Sequence, residues 1–205
     1  MAAFRGFPPE ALEFLAELEA NNDRDWFKAN RARYDEQLVA PARALGADLA
    51  DLGEPKLFRP FNDTRFHPGP AIKEHLGLAV GYGGAGGWYV ELSLDGLLVA
   101  AGLHAPRPDQ VERIRRAVDA GRTAAPLTRA LRTAADAGLE LNEPDLKRGP
   151  RGYAPDHPRA DLLRRRMALL HRRIGEPWPD VSDVALLARL DEWLGPELAE
   201  AARTG

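Results

Sequence analysis

Trp88-Tyr89-Val90-Glu91-Leu92-Ser93-Leu94-Asp95-Gly96-Leu97-Leu98-Val99-Ala100-Ala101-Gly102-Leu103-His104 is the stretch whose reading decides the fold. Trp88, Val90, Leu92 and Leu94 alternate with Tyr89, Glu91 and Ser93, the period of two that marks a strand buried on one side. Beyond Asp95-Gly96 the alternation resumes, with Val99, Ala101 and Leu103 against Ala100, Gly102 and His104. Asp-Gly between two apolar runs is a strong hairpin signal, because a type I′ turn needs positive φ at both central positions. The reading predicts that 88–94 and 97–103 pair antiparallel across that turn.

Working upstream, His75 to Tyr82 reads as another strand, and the aromatic-rich run Leu57 to His67 as one more. Short connections between successive strands predict an antiparallel meander of about four or five strands. The loop between two of them, Gly81-Tyr82-Gly83-Gly84-Ala85-Gly86, matches G-x-G-x-x-G as a string. That fingerprint holds a pyrophosphate only when a helix N-terminus follows, and here strand-like residues follow, so a dinucleotide site is not expected.

Helical spacing flanks the strands on both sides. Ala11, Leu12, Phe14, Leu15 and Leu18 form a stripe over 9–19. Asn21 to Phe27 then reads as a cap and restart, with Asn22 accepting from the first free N–H groups. Pro41 opens or kinks a further helical piece running to Gly53. Downstream, helices are expected at 108–120 and 125–137, a Pro- and Gly-rich connection at 140–158, and two more helices near 159–173 and 182–203, with Trp178 and Trp193 as anchors. The expected fold class is therefore α+β: N-terminal helices, a central antiparallel sheet and C-terminal helices, in a single domain over 1–205.

Composition excludes several classes. Hydrophobic residues make up 44% and charged residues 29%, enough apolar material for a sizeable core. There is no cysteine, which removes disulfides, thiolate nucleophiles and cysteine metal sites. The five histidines lack zinc-ligand spacing, and neither a metal nor a cofactor is expected. No apolar run approaches the ~20 residues of a membrane span, and the start is too short and polar for a signal segment, so a cytoplasmic protein without a membrane partner is expected.

The chemistry is expected on the polar sheet face. In the run Arg59-Pro60-Phe61-Asn62-Asp63-Thr64-Arg65, strand alternation would put Arg59, Asp63 and Arg65 on one side, with Phe58 and Phe66 opposite. His75, Gly77 and Ala79 alternate with Leu76, Leu78 and Val80, and the small residues, with Ala100 and Gly102, would leave space above the sheet. A concave polar face carrying two guanidinium groups around a carboxylate suits a small phosphorylated or carboxylated anion. On this reading Arg59, Arg65, Lys73, Tyr89, Glu91 and His104 contact the ligand. Asp63 orients the arginines or acts as a general base, and His75 is the other catalytic candidate. The same residues also fit a solvated face with surface ion pairs of little individual weight.

A competing reading rests on charge. From Lys147 to Arg173 there are nine basic residues against two acidic ones, a segment charge of +7 in a chain whose net charge is −3. Arg164, Arg165, Arg166, Arg172 and Arg173, on the helix expected there, would suit a nucleic-acid or protein partner. Leu162, Leu163, Met167 and Leu170 would give that helix its buried face. Arginines paired with neighbouring carboxylates explain the same segment.

Three motifs in order carry a family resemblance. Asn21-Asn22-Asp23-Arg24-Asp25-Trp26-Phe27-Lys28-Ala29-Asn30 resembles N-N-x-x-W-F-x-x-N, and Phe58-Arg59-Pro60-Phe61-Asn62-Asp63-Thr64-Arg65-Phe66, with Lys73 and His75 after it, resembles F-R-x-x-x-D-x-R-F. Lys147-Arg148-Gly149-Pro150-Arg151-Gly152-Tyr153 with Asp156-His157-Pro158 resembles a later K-R-x-P-x-G-Y…D-H-P segment. Together they are similar to the bacterial and fungal conserved-hypothetical proteins grouped as domain of unknown function 2461. The resemblance covers nearly the whole chain and implies no particular activity. After Phe66 this chain departs from that pattern, with His67-Pro68-Gly69-Pro70-Ala71-Ile72 where the family has a longer run bearing an acidic residue and a further lysine.

Overall fold

The computed structural model describes residues 3–63, 69–81, 86–104 and 106–174. Six strands form one antiparallel sheet: β1 Pro55–Leu57, β2 His75–Val80, β3 Gly86–Ser93, β4 Gly96–Leu103, β5 Glu140–Leu141 and β6 Ala168–Ile174. Their order is β1-β2-β3-β4-β6-β5. The fold class is the expected α+β, with more strands than the four or five expected.

The β3–β4 hairpin forms where the alternation placed it, but its turn is not type I′. No described non-glycine residue has a positive φ, so Asp95 has none, and the positive φ in this turn belongs to Gly96, at 99°. Leu94 and Asp95 make the turn, and Gly96 takes the left-handed backbone that lets the next strand start.

The chain divides into two compact units. The first holds the N-terminal helices, β1, β2 and the turn end of the hairpin. Helix α1 (Glu10–Ala20) buries Ala11, Phe14, Leu15 and Leu18, the stripe read from the sequence with Leu12 at its edge. The cap of α2 (Arg24–Ala29) is Asp23 rather than Asn22: its carboxylate accepts from the N–H groups of Asp25 and Trp26 at 2.8 and 2.9 Å. α3 (Arg31–Tyr34) runs through a π-helical turn, Asp35–Val39, into α4 (Ala40–Asp48), whose first turn accommodates Pro41 where its missing N–H costs nothing. A 3-10 turn, Ala50–Leu52, then ends at Gly53. The rings of Phe14 and Phe27 close on Tyr34, with centroids 5.8 and 5.0 Å away. α4 packs on β1 and β2, and a Cβ at Gly46 would lie 2.9 Å from the Pro55 side chain, so glycine sets that closeness.

The second unit contains α5 (Pro108–Asp119), α6 (Gly121–Asp136), α7 (Ala160–Leu163), β5 and most of β6. α5 packs on α6 and α7, and α6 on β5, around Val118, Ala124, Ala134, Leu139 and Leu163. The helix expected over 159–173 is not there. It stops at Leu163, and Ala168–Ile174 is strand β6 with Leu170 buried. The cause is local: the Asp145 carboxylate accepts from the N–H groups of Arg166 and Met167 at 2.6 and 3.2 Å, donors that a continuing helix would have turned inward. Gly102 of β4 (φ 135°) admits the new strand, since a Cβ there would lie 2.1 Å from the Ala168 carbonyl oxygen. The helix expected at 182–203, with Trp178 and Trp193, lies outside the described residues.

Candidate functional site

The site is built on the first unit, where β1 loses its regularity. The strand expected over Leu57 to His67 ends at Leu57. Pro60, without an N–H, follows within three residues. The pairing continues irregularly: Phe58 N–H donates to Gly77 O at 2.9 Å, Lys73 N–H to Pro60 O at 2.7 Å, and Asn62 N–H to Ala71 O at 3.1 Å. Leu57 is opposite Leu78 and Phe61 is opposite Ile72. Three residues, 58–60, therefore face five, 73–77; Lys73 keeps the register of the Phe61–Ile72 bridge, and the two extra residues fall among Glu74, His75 and Leu76, opposite Arg59.

Asn22 holds the bulge from the helical side. It bonds both backbone groups of Ile72, at 2.9 and 3.0 Å, and its amide also donates to Glu74 Oε1 at 2.8 Å. Glu74 is engaged there, while Lys73 reaches the ring of Phe58, its Nζ 5.6 Å from the centroid. Lys56, exposed on β1, places its own Nζ 5.7 Å from the same ring.

The alternation along β2 and β3 is as read, and it puts His75, Gly77, Tyr89 and Glu91 on this face. The space opposite Gly77 is filled, however. A Cβ there would meet the Tyr89 hydroxyl at 2.7 Å and Phe58 Cδ2 at 3.2 Å. Phe58 thus belongs to the polar face, not to the opposite one, and its ring meets Tyr89 edge-on with centroids 6.1 Å apart. Tyr89 donates to Glu91 Oε2 at 2.8 Å, and His75 Nε2 lies 3.8 Å from the same oxygen. Burial, the bond to Glu91 and the carboxylate's charge hold the Tyr89 hydroxyl above its ordinary range, so it remains a donor. Burial and the neighbouring charge of Arg59 lower the Lys73 ammonium from its usual value. Among the described residues Lys73 and Arg59 have no carboxylate partner.

The remaining expected residues are Asp63, Arg65 and His104. Asp63 is exposed, beyond the Phe61–Ile72 bridge and off any strand. Arg65 lies outside the described residues. His104 follows β4 as an exposed residue of the second unit. Gly86 opens β3, so no helix follows the glycine string, and residues 82–85 are outside the description. Lys56 was not singled out in the sequence and Phe58 was assigned to the opposite face, although their spacing of two beside the paired Lys56↔Ala79 position was the available signal. No group of three or more His, Asp or Glu among the described residues is placed to hold a metal ion.

In the second unit Arg159 and Arg164 of the basic segment are engaged locally, while Nε and Nη1 of Arg165 are buried without a hydrogen-bond partner among the described residues. Arg159 Nε and Nη2 donate to the carbonyls of Val118 and Asp119, at 2.6 and 2.8 Å, closing the C-terminal end of α5. His157 Nδ1 accepts from Arg159 N–H at 3.0 Å, which leaves Nε2 to donate to Asp119 at 3.1 Å. Arg115 donates to Leu163 O, Arg164 pairs with Asp161, and Arg172 and Arg173 point to opposite faces of β6. The Asp156-His157-Pro158 motif thus has a structural use beside the positive charge it interrupts.

These features define a class: a mixed α+β protein whose antiparallel sheet carries a cationic and aromatic cluster over a bulged edge. The chain belongs to the conserved hypothetical protein family DUF2461, which matches residues 10–191. No curated protein and no solved structure matches it. Among the described residues no helix is long and apolar enough to cross a membrane.

Proposed function

We propose that the chain binds a small phosphorylated or carboxylated ligand on this sheet face, with Lys73 and Arg59 as its anion contacts. One observation carries the reading. Lys73 is half-buried, its ammonium feels the charge of the exposed Arg59, and neither is ion-paired with a carboxylate among the described residues. Like charges held side by side destabilise a fold unless an anion completes them. Phe58 supplies an apolar floor. Glu91, held by Tyr89, faces His75, and a carboxylate so placed orients an imidazole, as an acid–base group acting on the ligand requires.

The test is thermal unfolding in inorganic phosphate and in simple mono- and dicarboxylates. Binding at a hundred times Kd stabilises by about 2.7 kcal/mol. The wild-type chain should rise in Tm with at least one of these anions, and Lys73→Ala and Arg59→Ala should each lose most of the rise. An equal rise in both variants would overturn the assignment.

A further inference from the structure

We infer that the paired turns around Lys147 and Arg166, in the second unit, form a binding surface for the phosphate backbone of double-stranded DNA, engaged without reading base sequence. The inference does not rest on the anion contacts of the first unit.

The surface comes from the break in the helix expected over 159–173. Where that helix stops, residues 164–167 are fastened to 145–146. The Leu146 N–H donates to Arg164 O at 3.0 Å, and the Asp145 carboxylate accepts from the N–H groups of Arg166 and Met167 at 2.6 and 3.2 Å. Asp145 and Arg166 are 21 residues apart in the chain, so two cation-rich stretches are held side by side. Residues 143–151 and 161–166 carry Lys147, Arg148, Arg151, Arg164, Arg165 and Arg166 against Glu143, Asp145 and Asp161. Two of these carboxylates are already taken: Asp161 pairs with Arg164, and Asp145 receives the backbone donors just named. The positive charge is therefore not neutralised from within.

Lys147, Arg148, Arg151 and Arg166 are exposed, and their side chains make no hydrogen bond or ion pair among the described residues. The loop that carries the first three stands clear of the body. A Cβ on Gly149 or Gly152 would meet nothing within 4 Å, and Gly152, with a φ of 92°, turns the chain there. A rigid polyanion can approach it from outside.

The chemistry selects the partner. A small anion gains little from a solvated surface cation. A nucleic acid gains at every phosphate whose counterions are released, and a duplex carries one charge per about 1.7 Å of its axis, so phosphates meet these cations in any register. Tyr153 is the one aromatic residue in 140–174, which leaves no row of rings on which unpaired bases could stack. Contact with a duplex backbone is the mode that these residues support.

The test is fluorescence anisotropy of the full chain with two labelled DNA duplexes of unrelated sequence, over a series of potassium chloride concentrations. Both duplexes should bind equally, and log K should fall with log salt at a slope of about −3 to −4, the value for four neutralised phosphates. Lys147→Ser, Arg148→Ser and Arg151→Ser combined should weaken binding at least about tenfold at low salt and bring the slope to about −1. The Tm of that variant, measured in parallel, should stay at the wild-type value. Each single substitution should flatten the slope by about 1, which keeps the test decisive if the combined variant unfolds. Lys28→Ser, which removes an exposed cation of α2 in the first unit, should bind as the wild type does. No binding at the lowest salt would overturn the inference, and so would a folded combined variant that binds like the wild type. Tighter binding to a single strand than to the duplex would also overturn it. Binding to phosphatidylserine vesicles without binding to DNA would assign the surface to a membrane instead.

Discussion

Asn22 and Ile72 lie 50 residues apart in the chain, yet Asn22 pairs with both polar backbone groups of Ile72: the Ile72 N–H donates to Oδ1 at 2.9 Å, and Nδ2 donates to the Ile72 carbonyl at 3.0 Å. Ile72 is fully buried, so neither group has water as an alternative. This side chain therefore substitutes for a neighbouring strand and fixes the residue that precedes Lys73.

Asn22→Ala should destabilise the fold by about 2–4 kcal/mol, since two buried backbone groups lose their partners. Urea unfolding measures this. Asn22→Asp, which keeps the acceptor but not the donor, should fall between the wild type and Ala. A loss below about 0.5 kcal/mol in Asn22→Ala would show that the pairing is replaceable by water.

Lys73→Met should raise stability at neutral pH by about 0.5–1 kcal/mol while abolishing anion-induced stabilisation, the signature of a residue kept for its chemistry at the expense of the fold. The pH dependence has a definite sign. The folded state holds the Lys73 proton less firmly than the unfolded state, so wild-type stability gains as pH rises from the lowered value toward the ordinary lysine range. That increment should be missing from Lys73→Met in denaturant titrations taken across the alkaline range.

Two glycines separate side-chain from backbone crowding. At Gly77 a new Cβ meets the Tyr89 hydroxyl and Phe58, both of which can move, so Gly77→Ala should cost about 1–3 kcal/mol and displace Tyr89 from Glu91. At Gly102 the obstacle is the Ala168 carbonyl, and the φ of 135° is itself unfavourable for alanine. Gly102→Ala should therefore cost more than Gly77→Ala, and calorimetry of the two variants gives the order directly.

Asp145 should govern part of the acid limb of unfolding. Partial burial raises its pKa, but the N–H groups of Arg166 and Met167 and the charge of Arg166 outweigh this and leave it below the ordinary aspartate value. Its contribution is present above about pH 4 and is lost as pH falls through the lowered value. Asp145→Asn should show a shallower decline in stability below that pH, measured by denaturant titration at successive acidic pH values.

Arg159→Ala should destabilise the second unit by about 1.5–3 kcal/mol, because the last carbonyls of α5 lose a charged donor. Arg159→Lys should rescue little of this, since one ammonium cannot bridge both carbonyls as the guanidinium fork does. Unfolding by urea again supplies the comparison.

The sequence carried the hairpin, the helices α1, α5 and α6, and the polar side of β3, because their apolar spacing is unbroken over whole elements. Asp95-Gly96 located a turn without determining its type, since a left-handed Gly96 alone suffices. Past Leu57 the Arg59–Asp63 run loses regular strand pairing, and the bulge between Lys73 and Gly77 on its partner leaves no mark in the sequence. The 159–173 segment misled for another reason. Leu162, Leu163, Met167 and Leu170 satisfy helical spacing, and the carboxylate that ends the helix sits about twenty residues upstream, at Asp145. Lys73 and His75 stand out in the sequence as candidates, but their relation to Phe58 depends on Gly77 being small enough for two rings to share its place.

The position of β6 between β4 and β5 has a consequence for biosynthesis. β4, with Leu97, Val99 and Ala101 in one row, is complete some 65 residues before Ala168 leaves the ribosome. Until then its outer edge presents unsatisfied N–H and C=O groups beside an apolar surface, a template for pairing with another chain. Nascent chains that stall between Leu103 and Ala168 are the species that a holding chaperone must shield.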